Sequence, residues 1–315
     1  MYGYLPIGTF PVDMQVETKK DVPGIFWEIS EHRAKLMPLY NKYFFYPLAI
    51  PAQQNGNHLQ SQAYDSLIRV LFETSYMMNR FVFPWDPKEL VHPGLGGGWT
   101  FEDSQIGNAT LLLFAASGKT GLAFAHSLKH GRPAENKPKT IIGVGSQSSK
   151  DFAKSTGLFD TVMEYGDSTK GDLAKRLGLA PDSKVVLCDF GSRDGAASKW
   201  AENLKQTQEN VIVLGIGGEV VADNPEKAAE KLTSRGQSHQ AWVNASGLRD
   251  GAMKLLGEKK YTEDFLRDWE SCKEEGFVKG IKLIWGEGME DVGRGWTKLC
   301  KGEVGADEGL VFKLS

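Results

Sequence analysis

Cysteine is scarce in this chain: Cys188, Cys272 and Cys300 are its only thiols among 315 residues. They lie too far apart for a disulfide framework or a closely spaced zinc knot. They read as reduced thiols, which places the protein in the cytoplasm. No apolar run of about 18 residues occurs, which removes transmembrane helices. The first ten residues bring neither a basic region nor a long apolar stretch, so no secretory signal is expected. An excess of one charge is also missing, with 37 Lys and Arg against 40 Asp and Glu. That balance leaves no electrostatic footprint for nucleic acid or for an anionic membrane surface. What is present is 41% hydrophobic and 24% charged residues, an ordinary globular mixture. The length suits two domains of about 100–200 residues each. The partner expected of such a chain is a small molecule.

Residues 1–24 read as short strands and turns, with Gly3, Pro6, Gly8 and Pro11 followed by an alternating stretch over 12–17 and a turn at Asp21-Val-Pro-Gly24. Residues 30–83 look mostly helical, broken near Pro47 to Asn57. An aromatic patch (Tyr40, Tyr43, Phe44, Phe45, Tyr46) precedes a long apolar-periodic helix over Tyr64–Phe83. Pro84, Pro87, Pro93, Gly94 and Gly96 to Gly98 read as a linker. The texture then changes. Apolar runs at Thr110–Phe114, Thr140–Gly145, Lys184–Asp189 and Asn210–Leu214 alternate with helical stretches near 119–130, 149–156, 173–177 and 195–207. This alternation predicts an α/β fold with a doubly wound parallel sheet over 101–245, its strands buried on both faces. Residues 1–100 and 246–315 are expected to make a second, smaller domain.

The most informative turn follows Thr110-Leu-Leu-Leu-Phe114. Ala115, Gly118 and Gly121 are spaced three apart and open a helix, with Ser117, Lys119 and Thr120 between them. Small residues here permit a tight reversal and close backbone approach to a pyrophosphate, which the helix N-terminus would favour. A tight strand-to-helix turn without a ligand needs the same residues. A triphosphate-binding loop is excluded, because Leu113 stands where its first glycine is required. The second strand, Thr140 to Gly145, ends without the carboxylate that usually binds a ribose 2′-hydroxyl. Ser146 and Lys150 instead offer donors for a 2′-phosphate, which points to NADP(H). The same residues also suit a capped helix start with Lys150 solvated. Gly191 and Gly215, after the next two strands, stand where the backbone would approach a nicotinamide ribose or simply turn.

Leu111 to Lys129, followed by Ile141-Ile-Gly-Val-Gly-Ser146, resembles the cofactor domain of the medium-chain dehydrogenase/reductases. The zinc-free quinone- and enoyl-reductase branch is the nearest in pattern. Its turn, Gly-Ala-Ala-Gly-Gly-Val-Gly, falls here on Ala115-Ala-Ser-Gly-Lys-Thr-Gly121. Lys154 to Tyr165 is similar to the third-strand region, whose Tyr lies near the adenosine phosphate, and Thr74-Ser75-Tyr76 to the step into the cofactor domain. Gly288 to Val292 and Gly309 to Leu314 look like its last helix and strand. More narrowly, Tyr2-Gly-Tyr-Leu-Pro6, His32-Arg33, Tyr40-Asn-Lys-Tyr43, Leu71 to Ser75 and Ser117 to Thr120 resemble a domain-of-unknown-function subfamily of that branch. The resemblance implies a Rossmann-type sheet beside a partial GroES-like β-rich and helical domain. Members carry about another quarter of chain before the Tyr2–Pro6 segment, so the barrel is expected to be truncated here. It further implies an NADPH-dependent, metal-free reductase of an activated double bond, quinone or carbonyl, and allows a homodimer joined through the sheet edge. A dinucleotide-binding protein with little catalysis, or a lyase or aldolase on the same fold, are the rival readings.

For metal-free reduction the protein must supply a proton or a hydrogen bond to the developing oxyanion. Tyr40, Tyr43 and His32 are the candidates, each of which also suits ordinary packing or exposure. Arg69 is expected to pair inside the fold. His126 and His130 stand one helical turn apart, a spacing compatible with a metal. With no third ligand near them in sequence they read as a polar helix face, and no metal is expected.

Overall fold

A computed structural model of the chain describes residues 13–36, 38–45, 56–219, 224–275 and 278–314. The Tyr2–Pro6 segment, Tyr46 and most of the break between Pro47 and Asn57 lie outside the described residues. Three short strands come first: β1 (Val16–Thr18), β2 (Ile25–Glu28) and β3 (Lys42–Phe44), an antiparallel sheet in that order. Helices α1 (Gly56–Leu67) and α2 (Arg69–Met77) follow. The Tyr64–Phe83 stretch is therefore not one helix. It breaks at Ile68 and ends in a wide π-helical turn over Met78–Val82. That turn buries Met78, Asn79, Phe81 and Val82. A stretch apolar on several sides has no single stripe from which a change of axis could be read.

The segment expected to be a linker contains strand β4 (Gly94–Gly96). Its glycines let the backbone lie flat: a Cβ on Gly96 or Gly97 would fall 2.1 or 1.9 Å from the carbonyl oxygen of Gln240 or His239. The short helix α3 (Phe101–Ser104), closed by a Thr100–Asp103 capping box, leads into the main sheet. There β5 (Thr110–Phe114), α4 (Lys119–His130), β6 (Thr140–Gly145), α5 (Lys150–Ser155), β7 (Thr161–Glu164), α6 (Leu173–Arg176), β8 (Val185–Asp189), α7 (Ala196–Leu204), β9 (Val211–Gly215), α8 (Pro225–Gly236) and β10 (Ala241–Val243) alternate. The sheet order is β4-β10-β9-β8-β5-β6-β7, with β4 antiparallel to β10 and the other neighbours parallel. This is the doubly wound arrangement, with crossovers from β5 to either side.

Period-two alternation divides the strands between two cores. Leu111, Leu113, Val186 and Cys188 join a cluster with α2, α4, α9 (Ala245–Leu256) and α10 (Glu258–Glu275). Leu112, Phe114, Ile142, Val144, Val185 and Leu187 pack on the other face against Trp200 and Leu204 of α7. Burial pushes the Cys188 and Cys272 thiols up, as expected of inert core cysteines. The chain closes with β11 (Lys282–Glu287), α11 (Gly288–Lys301) and β12 (Glu308–Lys313), the two strands parallel. All three residues of β10 pair with β4, which forms one edge of the sheet, and β7 forms the other. Among the described residues no helix is long and apolar enough to cross a membrane.

Candidate functional site

The chain leaves β5 toward β6 and returns to β8 on the opposite side, so the loops after β5 and β8 diverge. Such a switch point leaves a crevice at the carboxyl ends of the strands. The turn after β5 is strained and closed. Ala115 sits at φ +55, a left-handed conformation that costs a non-glycine residue roughly 1–2 kcal/mol. The Gly118 N–H donates to the Ala115 carbonyl at 2.9 Å. A Cβ on Gly118 or Gly121 would lie 3.1 or 3.2 Å from that same oxygen, so both positions are tight for any larger residue. Gly118 is the N-cap of α4 and brings no side-chain acceptor. The first-turn N–H groups of this 12-residue helix therefore present an uncapped positive terminus at the crevice. Ser117 is half-buried within the turn.

Other sequence candidates are placed less simply. Lys119 donates from Nζ to the Glu308 carbonyl at 3.0 Å, tying the turn to β12, and burial lowers its pKa. Thr120 accepts the Ser75 hydroxyl at its carbonyl, 2.9 Å away, which anchors the start of α4 on α2. Ser146 shares hydroxyl hydrogen bonds with Ser148 at 3.1 Å and Ser149 at 3.0 Å. Lys150 is paired with Glu164 at 2.7 Å, and that hydrogen bond holds its pKa above the ordinary lysine value. Glu164 stands beside Gly145 in the β6–β7 register. The carboxylate missing from the end of the second strand thus arrives from the third, already neutralised by Lys150. Tyr165 follows it. Burial and then the Asp189 charge raise its hydroxyl pKa, against a backbone N–H of Ala115 that donates toward it. Tyr165 therefore bridges the third strand to the turn after β5.

Gly191 and Gly215 are accounted for by protein atoms. A Cβ on Gly215 would fall 2.2 Å from the Trp242 ring, and one on Gly191, at φ +114, 2.5 Å from the Gly218 carbonyl. They let β10 and the loops after β8 and β9 pack closely. Those loops border an open cavity of about 180 Å³, lined by Thr74, Thr120, Phe190, Ile216, Gly217, Val243 and Ala245. Of these only Thr120 was a sequence candidate. Val243 and Ala245 escaped notice because β10 is a three-residue strand, too short for alternation to register.

The catalytic candidates lie on the small N-terminal sheet and its approach. His32 is exposed in a 3₁₀ turn over Glu31–Arg33. Tyr40 is 38% exposed, and Tyr43 stacks on Phe26 with ring centroids 5.2 Å apart. None of them lines the 180 Å³ cavity. Lys42, which lies between Tyr40 and Tyr43 and opens β3, was not among the sequence candidates. Burial lowers its pKa, opposed by the charge of Glu73. Arg69 lies over the Phe44 ring at 3.7 Å.

Behind the cavity wall is a buried ionic network. Arg249 donates to Glu73 from Nε at 2.8 Å and from Nη2 at 2.7 Å, and the Tyr261 hydroxyl donates to Glu73 at 2.9 Å. Glu73 precedes Thr74 on α2, and Arg249 lies on α9, whose first residue is Ala245. The network therefore fixes the two helices that carry two of the cavity's lining residues.

A family model matches residues 1–305, nearly the whole chain. The chain belongs to the family described as "Protein of unknown function (DUF2855)". No curated protein matches it. Among solved structures this DUF2855 member is similar to CurA from Vibrio vulnificus in complex with NADPH, at 13% identity over 80% of this chain and 65% of that one, with a TM-score of 0.44. It is similar to a short chain alcohol dehydrogenase from E. coli complexed with NADH, at 12% identity over 88% and 63%, TM-score 0.46. A third is benzyl alcohol dehydrogenase from Acinetobacter calcoaceticus, at 10% identity over 88% and 61%, TM-score 0.48. The chain spans less than two thirds of the length of each.

Proposed function

We propose that this DUF2855 member binds NADP(H) at the switch point and uses it to reduce an activated double bond, quinone or carbonyl of a small molecule. The observation that carries the reading is the uncapped N-terminus of α4 behind a turn too tight for side chains at Gly118 and Gly121, opening beside a cavity of about 180 Å³. That combination suits a pyrophosphate on the helix and a flat ring in the cavity. A bound nicotinamide supplies the hydride. Residues 115–121 would hold the pyrophosphate, and Ser146 and Ser148 would donate to a 2′-phosphate. Thr74 and Thr120, the two hydroxyl side chains of the cavity lining, would orient the ring. Phe190, Ile216 and Val243 would exclude water from its face.

A second reading has a specific observation behind it. Among the described residues the cavity lining contains no His, Tyr, Lys or carboxylate, so none of these faces the cavity as a general acid or base. A dinucleotide-binding protein with little catalysis would look the same. Calorimetric titration of the purified chain with NADPH and NADH, followed by NADPH consumption with enones and quinones, separates the two. Selective NADPH binding with turnover is the expected result, and binding without turnover favours the second reading. No binding of either cofactor would overturn both.

A further inference from the structure

Helix α4 ends on a pair of histidines, and the fold supplies the third group that the sequence near them lacks. Glu275, at the end of α10, reaches both rings. Its Oε2 lies 2.9 Å from His126 Nε2 and 3.2 Å from His130 Nδ1. The three atoms all lie within 4.8 Å of one another. The imidazoles stack with centroids 4.6 Å apart. Ser271, one turn before Glu275, donates to Oε1 at 3.0 Å, which leaves Oε2 turned toward the rings. His126 is buried, whereas His130 and Glu275 are 47% and 38% exposed at their side chains. They open onto a cavity of about 480 Å³ bounded also by Tyr76, Arg80, Trp85 and Asp268.

Two imidazole nitrogens and one carboxylate oxygen form a ligand set that zinc accepts, with bonds of about 2.0–2.2 Å and tetrahedral geometry. At those lengths tetrahedral ligand atoms stand roughly 3.3–3.5 Å apart. Both Glu275 contacts are within a few tenths of an ångström of that spacing. Two histidines at i and i+4 on one helix face supply such a pair without strain. Outer-shell hydrogen bonds like that from Ser271 commonly fix the orientation of a ligand. Cations around the cavity are already matched: Arg80 pairs with Glu89, Lys260 with Asp264, and Arg267 with Asp264 and Asp268.

We propose that His126, His130 and Glu275 bind a divalent transition-metal ion of the zinc class, with its fourth coordination position open to the cavity between α4 and α10. The site stands toward the opposite end of α4 from Lys119, with His126 and His130 about 10 and 16 Å along the helix at about 1.5 Å per residue. It is therefore independent of the cofactor reading. Because the ligands come from elements about 145 residues apart in sequence, the ion would bind the folded chain alone and staple α4 to α10.

The test uses the full chain, stripped with a chelator and titrated with Zn²⁺ against a chromophoric competitor. One equivalent should bind, and the melting temperature should rise with Zn²⁺. His130→Ala and Glu275→Gln change half-exposed side chains and should fold normally, as their metal-free melts would show. Each should weaken binding by at least the roughly 10–100-fold that loss of an outer-shell partner costs, and abolish the Zn²⁺-dependent rise. Co²⁺ in place of Zn²⁺ gives a direct readout, since its visible absorption should change in His130→Ala. Absence of stoichiometric binding, or binding unchanged in both variants, would overturn the assignment.

Discussion

Changing Glu73 to Gln should destabilise the fold more than changes at most other positions in this chain. Glu73, Arg249 and Tyr261 are 5%, 4% and 0% exposed, and Glu73 accepts from both partners. Gln keeps the size but removes the charge, leaving the Arg249 guanidinium buried without a counter-ion and within the field of Lys42. Stranding one member of a buried pair costs about 3–5 kcal/mol. Tyr261→Phe removes one hydrogen bond to a charged acceptor and should cost about 1.5–3 kcal/mol, since Arg249 still satisfies Glu73. With an unfolding entropy of about 2.1 cal/mol/K per residue over 315 residues, the Gln variant should melt about 5–8 °C lower and the Phe variant about 2–5 °C lower. The double variant Glu73→Gln/Arg249→Met strands no charge and should recover much of the loss, because apolar replacement of a buried pair is often close to neutral. Thermal melts and urea titrations of the unaltered chain, Glu73→Gln, Arg249→Met and the double variant give the double-mutant cycle. If the two single losses simply add in the double variant, the charges are not coupled and the reasoning fails. The folded fraction of Glu73→Gln should also bind NADPH more weakly, since α2 and α9 carry Thr74 and Ala245 of the cavity.

Lys150→Met should leave Glu164 uncompensated beside Gly145 and move selectivity from NADPH toward NADH by roughly two- to fivefold, the scale of an exposed charge pair. Glu164→Gln should move it the other way, and equal cofactor affinities in the unaltered chain would remove the Ser146 and Lys150 assignment. Gly121→Val places branched carbons beyond a Cβ already 3.2 Å from the Ala115 carbonyl. It should cost about 1–3 kcal/mol of stability and abolish detectable cofactor binding by calorimetry, whereas retained affinity would show that the turn is not the phosphate cradle. Gly215→Ala should lower the melting temperature because of the Trp242 ring; if the chain melts unchanged, that packing account is wrong. Tyr40→Phe tests the proton-donor candidate: with Tyr40 outside the cavity lining, turnover of an enone should be unchanged, and a fall in turnover with little change in KM would return Tyr40 to the mechanism.

Period and spacing in the sequence were enough for the sheet. The β5, β6, β8 and β9 strands were legible because each is buried on two faces and so appears as an unbroken apolar run, and α4 because small residues mark its start. Strands shorter than a full alternation were not. β4 looked like a glycine linker and β10 gave no strand signal, since three residues carry no period and their pairing depends on distant backbone. For the same reason the Tyr64–Phe83 stretch concealed its break: a segment packed on several sides has no polar face to mark a bend.

The sequence by itself determined local chemistry: a positive helix start behind a small-residue turn, serines rather than a carboxylate after the second strand, and two histidines one turn apart. Tertiary structure decided what each of these meets. It put Glu164 at the end of β7 beside Lys150 at the start of α5 and set Glu73 against Arg249, 176 residues away on another helix. It also brought Glu275 to His126 across 149 residues. In each case the partner is chosen by strand register or by helix packing, which bring together groups whose distance along the chain carries no information about their distance in space.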